Sequence, residues 1–478
     1  MKPPAMTTAI LWFRRDLRLT DNPALLHALA AADTIIPVFI FDPDEDGAWR
    51  PGAASRWWLH HSLQALDADL RQRGSQLWLC RGPSLDALRQ IRQATGASQV
   101  YWNRLYEPAA IARDSAIKQA LREDGMQVES CNSALWREPW EMTRGKGEPY
   151  KVFTPYWKAL QQRGFGDLPQ PAPARLPNIP AIGDGLPLAD FGLLPNIAWD
   201  GGLRENWQPG EAGALALLDE FLQDAASRYS AERDLPDRPS TSRLAPHLHF
   251  GEIGPRQILA GLATQAEQTG AECYPRQLAW REFAHHLLYY FPATTDAPLD
   301  ARFQPFAWNA IQPEALWAWQ RGQTGIPLVD AGMRELWHTG WMHNRVRMVA
   351  ASFLVKNLRF HWLEGARWFW DTLVDADLAN NTLGWQWVAG CGADAAPYFR
   401  VFNPVLQGER FDPQGEYVRR WIPELAGLSA RFIHQPWAAD TATLQAAGVR
   451  LGMDYPRPIV DLKATRETAL LAFKALRG

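Results

Sequence analysis

The sequence predicts an α/β domain built on a doubly wound parallel sheet, followed by a large all-α domain. Three observations lead to this fold class. The first 130 residues alternate strand-like and helical segments, residues 163–210 are rich in proline and glycine, and the chain from Glu211 onward keeps a helical period. We therefore expect an α/β domain at 1–135, an interdomain connector at 136–210 and a helical domain at 211–478.

The strands of the first domain are predicted from short runs of β-branched and aromatic residues. The clearest helix between them begins at Ser55 and is closed by Gly74. This alternation predicts a parallel sheet that binds ligands at the carboxyl ends of its strands, although no GxGxxG follows the first strand. The five runs are AILWF (9–13), TIIPVFIF (34–41), QLWLC (76–80), SQVYW (98–102) and MQVES (126–130).

The connector is predicted from composition. Eight prolines and eight glycines make up a third of the 48 residues from 163 to 210. Such a segment supports neither a long helix nor a ladder, so we expect it to run over the surface and to mark a domain boundary.

The second domain is predicted to be all-α, with about a dozen helices. Its segments place apolar residues three and four positions apart, and none resembles a strand. The clearest are EAGALALLDEFLQDAASRY from Glu211, PRQLAWREFAHHLLYY from Pro275, PLVDAGMRELWHTG from Pro327, WMHNRVRMVAASFLVKNL from Trp341 and EGARWFWDTLVDADLANN from Glu364.

Charge and cysteine content limit the class of protein. The net charge of −3 gives no global basic field, so any DNA contact needs a local patch such as the basic side chains of residues 334–367. The four cysteines form no CxxC pair, which argues against a disulfide framework and a structural zinc site. There is no signal-peptide core and no membrane-length apolar run, so we expect a soluble, cytoplasmic protein.

Tryptophans are concentrated in one region. Eleven of the 24 lie between Trp280 and Trp387, among arginine, histidine, asparagine and aspartate. Two interpretations fit: an aromatic pocket that grips a flat anionic ligand or an unstacked base, or a helical core filled with indoles.

Several local patterns carry possible chemistry. Thr241 and Ser242 precede a helix and predict either an anion site or an N-cap. Trp280, Arg281 and Glu282 occupy successive faces of a helix. Asn344, Arg347 and Met348 share one helical side, and Arg347 and Asp375 could form a buried pair beside an aromatic ligand, or each could lie at the solvated surface. HLH (247–249) favours hydrogen bonding over metal binding, and GCGADA (390–395) follows a helix and is dismissed as a dinucleotide motif.

Longer motifs resemble the photolyase/cryptochrome family over nearly the whole chain. TSRLAPHLHFGE, WREF, GWMHNRVRM, DADLANN, GWQW and DAAPYFRVFNP resemble its flavin domain, and RRDLRLTDN (14–22) resembles the start of its antenna domain. The GWMHNRVRM and GWQW variants are similar to bacterial cyclobutane pyrimidine dimer photolyases of class I or class III. SRWWLHHSL and REPWE are similar to the subgroup nearer the plant cryptochromes.

The resemblance implies FAD, bound in a folded form inside the helical domain. It implies that Arg347 and Asp375 pair beside the isoalloxazine, that Asn381 faces flavin N5, and that three tryptophans carry electrons from the surface. The implied electron-transfer residues are Trp308, Trp362 and Trp385. The implied FAD-binding residues are Tyr229, Thr241, Ser242, Arg243, Leu244, Ala245, Arg347, Asp375, Ala376, Asp377 and Asn381.

The resemblance also implies a substrate, a pyrimidine dimer in UV-damaged DNA that flips into a cavity walled by Trp280 and Trp387. It implies light-driven splitting of the dimer by a carbon–carbon lyase that acts as a monomer. The implied DNA-binding residues are Arg233, Gln277, Trp280, Arg281, Asn344, Arg345, Met348, Trp387 and Gln407.

Three departures from the family pattern leave alternatives open. Gln277 replaces the glutamate usual in dimer photolyases, a change also similar to (6-4) photolyases. Ala245 replaces a serine of the FAD turn, and Ala109 and Ala110 replace Asn and Glu of a folate-binding branch. The antenna could be methenyltetrahydrofolate, 8-hydroxy-5-deazaflavin or absent. A blue-light receptor remains an alternative, although such receptors often carry C-terminal extensions and this chain stops soon after helix 462–478. A dark flavin oxidoreductase would need a nicotinamide-binding site, and no such motif is visible in the sequence.

Overall fold

The computed structural model of the chain describes residues 6–177, 185–264, 273–395 and 399–476. It divides into two compact units, each assembled from separate stretches of sequence. The first contains residues 1–200, 207–226 and 242–292, and the second contains residues 201–206, 227–241 and 293–478. Residues 396–398 of the motif DAAPYFRVFNP lie outside the described residues. The boundaries at 135 and 210 stay predictions.

The first unit contains the expected parallel sheet. Its order is β3-β2-β1-β4-β5, so the connection reverses direction between β1 and β4. Apolar side chains of β1, β2 and β4, such as Trp12, Val38 and Trp102, form the buried core. The strands are β1 (Thr8–Phe13), β2 (Thr34–Phe41), β3 (Trp78–Arg81), β4 (Gln99–Asn103) and β5 (Gln127–Cys131), each within two residues of its predicted start.

Helices connect the strands of this sheet and form the rest of the first unit. Four of them are the crossovers between strands: α1 (Pro23–Ala31), α2 (Ala53–Gln72), α3 (Ser84–Thr95) and α4 (Pro108–Glu123). The others in this unit are α5 (Phe153–Arg163), α7 (Glu211–Glu220), α9 (Ala245–His249), α10 (Pro255–Ala263) and α11 (Tyr274–Tyr290). The predicted helix after Glu211 changes to a π-turn at Phe221–Ala225.

The second unit is helical, as predicted. Its shorter elements are α6 (Gly201–Asn206), α8 (Tyr229–Glu232), α12 (Pro313–Gln320), α18 (Glu416–Trp421), α19 (Ala430–Ile433) and α20 (Thr441–Ala446). Its longer ones are α13 (Pro327–Thr339), α14 (Asn344–Ser352), α15 (Trp362–Thr372), α16 (Leu378–Ala389), α17 (Pro404–Phe411) and α21 (Leu462–Ala475). From Glu211 onward the described residues contain fifteen α-helices, more than the dozen expected.

One predicted helix is two helices. The segment from Glu364 to Asn381 was expected to be continuous, but α15 ends at Thr372 and α16 begins at Leu378. The backbone N–H of Val374 donates to the carbonyl of Gly340, which draws the chain off the helical path. Asp377 then accepts from the N–H of Asn380 and caps a new helix.

No helix in the described part of the chain is both long and apolar enough to cross a membrane.

Packing of α5 on α11 in the first unit makes stability depend on pH. The His286 ring is buried against Tyr156 and Phe283, and its Nε2 accepts from the N–H of Tyr150 at 3.0 Å. Burial lowers the pKa of His286 from about 6.5 to about 4. Because the unfolded chain binds this proton at higher pH, stability is complete above about pH 6.5 and falls as the pH drops towards 4.

We expect the His286→Gln variant, which keeps an acceptor but cannot titrate, to lose less stability on acidification. Between pH 7 and pH 5 the wild-type His286 contribution falls by about 2 kcal/mol, and the variant lacks this loss. The measurement is the free energy of unfolding by urea at both pH values. The control is His338→Gln, because the His338 side chain is 54% exposed; equal pH slopes for His286→Gln and wild type would refute the expectation.

Candidate functional site

The predicted pair of Arg347 and Asp375 forms within the second unit. The Nη2 of Arg347, on α14, donates to Oδ2 of Asp375 at 2.9 Å, and its Nε donates to the carbonyl of Met342 at 2.7 Å. The Asp375 side chain is only 5% exposed. Its second oxygen, Oδ1, is buried and has no hydrogen-bond partner among the described residues. A buried acceptor of this kind is costly unless a donor reaches it, so this oxygen is a candidate contact for a bound group.

The start of α16 fixes two further predicted residues. Asp377 accepts from both the backbone N–H and the Nδ2 of Asn380, at 2.8 and 2.7 Å. Asn381 donates from Nδ2 to the carbonyl of Ala366 on α15 at 3.0 Å, which fixes its amide. Ala376 is buried between the two aspartates.

The three tryptophans predicted for electron transfer differ in burial. Trp385 and Trp362 are buried, whereas Trp308 is partly exposed. The Trp385 ring packs edge-on against Phe369 at 5.0 Å, and a Cβ at Gly365 would lie 2.0 Å from its Cη2, so only glycine fits there. Two of the three residues therefore lie in the interior of the second unit and the third lies at its surface.

A histidine that the sequence analysis missed lies against two of these tryptophans. The His361 ring centre is 5.2 Å from that of Trp308 and 5.6 Å from that of Trp362. Reciprocal hydrogen bonds between Asn309 and Arg359 hold the Trp308 segment in place. His361 directly precedes Trp362 in the sequence, but nothing in the local pattern shows its contact with a residue 53 positions earlier.

The predicted DNA-binding arginines of the second unit have partners of their own. Arg345 pairs with Asp234 at 3.0 Å and its guanidinium lies 4.3 Å from the centre of the Phe411 ring. Arg233 lies 5.6 Å from the centre of the Tyr229 ring. On α17, the buried Oε1 of Gln407 has no partner among the described residues.

The remaining predicted residues of this unit lie near the surface of α14 and α16. Asn344 is exposed and its Nδ2 lies 4.0 Å from the sulfur of Met348, one turn away, so the two share one helical side as predicted. The Trp387 indole is half-buried and donates from Nε1 to the carbonyl of Asp394 at 3.2 Å.

The expected basic patch of residues 334–367 is wrong in one member. Lys356 is buried, donates to the carbonyl of Ala389 at 3.0 Å and sits over the Phe399 ring. Burial lowers its pKa well below the usual range. Lys356 is therefore a structural residue and no phosphate contact, because it lies in a π-turn whose apolar neighbours carry it inside.

Within the first unit, residues 242–245 form the turn before α9, and the N-cap interpretation of this turn is wrong. The Ser242 hydroxyl bonds the Tyr274 hydroxyl at 2.6 Å, and the N-cap of α9 is Leu244, with no side-chain cap. α9 has only five residues, too short to supply a strong helix dipole. Arg243 adopts a positive φ of 54° and stacks over Trp207 at 4.2 Å, whereas Ala245 is exposed and Thr241, in the second unit, is half-buried.

The α11 helix of the first unit has the predicted three-faced arrangement. Trp280 is half-buried and stacks on Phe153 with ring centres 3.7 Å apart and planes 7° apart. Arg281 donates to the carbonyl of Ala134 at 2.7 Å. Glu282 is buried and accepts from the backbone N–H of Trp136 at 2.9 Å, and burial raises its pKa to about 7. Gln277 lies one turn earlier and is half-buried.

The HLH segment makes hydrogen bonds, as predicted. His247 Nδ1 lies 2.5 Å from Glu252 Oε2, and both residues are fully buried. The other oxygen of Glu252 accepts from the Trp58 indole at 3.0 Å and from the N–H of Gly210 at 2.7 Å. Glu252 thus joins three segments of the first unit that are distant in sequence.

Comparisons with known proteins match both parts of the chain. Residues 9–177 match the family model described as DNA photolyase, and residues 274–475 match the model described as the FAD binding domain of DNA photolyase. The deoxyribodipyrimidine photo-lyase of Agrobacterium fabrum is 45% identical over 98% of each chain. Cryptochrome-2 of Arabidopsis thaliana is 40% identical over 98% of this chain and 79% of its own length. The crystal structure of a class III photolyase from Agrobacterium tumefaciens superposes with a TM-score of 0.96 and 44% identity, covering 100% of this chain and 99% of that one.

Proposed function

Because this chain belongs to the photolyase/cryptochrome family, we propose that it is a light-driven DNA repair enzyme that splits cyclobutane pyrimidine dimers. The observation that carries this proposal is the 45% identity to a deoxyribodipyrimidine photo-lyase along the whole length of both proteins. The enzyme is then a carbon–carbon lyase.

The second unit fits the flavin nucleotide that the family binds. Arg347 offers a cation, Asp375 offers a buried oxygen, Oδ1, that has no donor among the described residues, and Asn381 offers an amide fixed by Ala366. An uncharged amide suits a flavin ring that carries negative charge when reduced, whereas a carboxylate would oppose that charge. When bound, FAD supplies the light-driven electron chemistry. The other residues that we propose for FAD binding are Tyr229, Thr241, Ser242, Arg243, Leu244, Ala245, Ala376 and Asp377.

We propose that Trp385, Trp362 and Trp308 carry electrons from solvent into this site. Their burial supports Trp308 as the outer member, because Trp308 is partly exposed and open to an external reductant whereas Trp362 and Trp385 are buried. His361, packed against Trp308 and Trp362, positions the last two rings.

Replacing the outer tryptophan distinguishes light-driven reduction of the flavin from repair of the pyrimidine dimer. We expect Trp308→Phe to lower light-driven flavin reduction to the level of an unilluminated sample, because phenylalanine is much harder to oxidise than tryptophan. Chemically reduced Trp308→Phe protein should repair dimers like wild type. The measurement is flavin absorbance under blue light with an external thiol. Trp317→Phe is the control, since Trp317 is 58% exposed on α12; unchanged photoreduction in Trp308→Phe would contradict the proposed path.

We propose that the lesion is bound by aromatic and polar side chains of α11, α14, α16 and α17. A dimer stacks poorly in duplex DNA, so flipping it out costs less than flipping a normal base. Trp280 and Trp387 supply stacking surfaces. Gln277 and Arg281 lie on α11 with Trp280, and Asn344 and Met348 lie on α14. Arg233, Arg345 and Gln407 complete the proposed set.

The deciding experiment compares two lesions. Flavin-loaded, reduced protein is illuminated with blue light in the presence of oligonucleotides that carry either a cyclobutane thymine dimer or a (6-4) photoproduct. We expect restoration of the cyclobutane dimer only, and none in the dark. Repair of the (6-4) product alone would instead assign that lesion, and photoreduction without any repair would favour a receptor.

We also propose that the protein works in the cytoplasm as a monomer. None of the four described cysteines, Cys80, Cys131, Cys273 and Cys391, forms a disulfide, which suits a reducing compartment. Light scattering of the eluting protein tests the mass, which is 53.9 kDa for one chain.

A further inference from the structure

Three side chains of the kinds that bind transition metals meet at the edge of the sheet in the first unit. His27 lies on α1, and Glu129 and Cys131 lie on β5. Residues two apart on a strand point to the same face, so Glu129 and Cys131 face the same side. β5 ends one side of the sheet, pairing only with β4 among the described strands.

The donor atoms converge on one point. His27 Nδ1 lies 2.6 Å from Glu129 Oε1 and 3.7 Å from Cys131 Sγ, and all three atoms lie within 4.8 Å of one another. A nucleophilic Cys–His–acid triad does not explain this geometry. In a triad the two ring nitrogens serve different partners, whereas here the thiol and the carboxylate face the same nitrogen.

The burial of the three residues leaves one side open. Cys131 is 7% exposed, whereas the side chains of His27 and Glu129 are 52% and 41% exposed. A cation could therefore enter from solvent and keep a water as its fourth ligand. The neighbouring cations have other partners: Lys118 donates to Ser130 at 3.0 Å, and Arg104 is bonded to Glu138.

We propose that His27, Glu129 and Cys131 bind one divalent cation of the zinc class. One sulfur, one imidazole and one carboxylate are ligands that suit Zn²⁺, and three protein ligands with an open position are typical of sites that retain a water. Mg²⁺ and Ca²⁺ prefer all-oxygen sites and are not expected to compete. The bound ion would link α1 to the edge strand. The lack of a CxxC pair excludes a zinc site of that spacing, but not one whose three ligands come from α1 and β5.

The test is a competition titration of the full flavin-loaded chain. After removal of metals with a chelator and desalting, Zn²⁺ is added in the presence of a chromophoric chelator. We expect one equivalent bound by wild type. His27→Ala and Cys131→Ser should each weaken binding by more than about tenfold, because loss of even an outer-shell partner of a metal site commonly costs that much.

Two controls make the result decisive. His338→Ala removes a histidine that is 54% exposed and lies 4.0 Å from a carboxylate oxygen of Glu205, so it should bind Zn²⁺ like wild type. Co²⁺ should give a thiolate charge-transfer band in the difference spectrum that disappears in Cys131→Ser. His27→Ala changes an exposed side chain and keeps the test valid if Cys131→Ser folds poorly. Absence of stoichiometric binding, or equal binding by wild type and His27→Ala, would overturn the proposal.

Discussion

Arg347→Ala should destabilise the second unit by about 3 kcal/mol, because it leaves the carboxylate of Asp375 buried without its cation. The value lies at the low end for a broken buried pair, since Arg347 keeps a side-chain exposure of 23%. The same change should lower the amount of flavin retained on purification. Urea unfolding gives the free energy of unfolding, and visible absorbance gives the flavin content.

A matched arginine tests whether burial is the cause. Arg334 on α13 is 22% exposed and pairs with Glu424 at 2.9 Å, but Glu424 is 32% exposed, against 5% for Asp375. We therefore expect Arg334→Ala to cost at most about 1 kcal/mol. Adding Asp375→Ala to Arg347→Ala should recover part of the loss, because the unpaired charge is gone. Equal losses for the two arginine variants would show that burial of the partner carboxylate is irrelevant.

Trp280→Ala should weaken binding of dimer-containing DNA by about 1–3 kcal/mol, roughly five- to 150-fold, which is the contribution of one aromatic stacking surface. Phe153 covers one face of the indole at 3.7 Å, so Phe153→Leu should cause a smaller loss through poorer positioning of the ring. Binding is measured in the dark by fluorescence anisotropy with a thymine-dimer duplex and an undamaged duplex.

The specificity of this loss is the critical outcome. Undamaged DNA is held mainly through its phosphates, so its affinity should change little in Trp280→Ala. Trp140→Ala is the control, since Trp140 is another indole of the first unit and is 45% exposed. A loss of equal size on both duplexes would show that Trp280 contributes to general DNA affinity and not to the lesion.

Continuous apolar runs made the strands of the sheet predictable from the sequence, whereas the ends of the helices could not be predicted in this way. All five strands begin within two residues of prediction. The central strands β1, β2 and β4 are almost fully buried, and strands buried on both faces have continuous apolar sequences. The break between α15 and α16 was missed because residues 373–377, where it occurs, contain no glycine or proline. The signal that could have found it is Asp377 three residues before Asn380, a spacing typical of an N-cap.

The composition of the candidate site came from motif resemblance, and its geometry came only from the structure. Arg347 and Asp375 are 28 residues apart, so helical spacing could not show that they pair. The contact of Phe153 with Trp280 spans an even longer stretch of chain. The assignment of Lys356 to the basic patch was wrong, because it rested on charge alone. The apolar neighbours of this lysine place its side chain in the interior.

The three-way bond at Glu252 has a consequence for synthesis of the protein. The first unit contains residues up to 292. The indole N–H of Trp58 and the backbone N–H of Gly210 have their acceptor, Glu252, later in the sequence, so these bonds can form only after Glu252 has been synthesised. At ordinary translation rates the nascent sheet emerges on the order of ten seconds before its last segment leaves the ribosome. During that interval its unfinished surface is a natural target for chaperones, and a gene fragment ending near codon 200 should yield insoluble product.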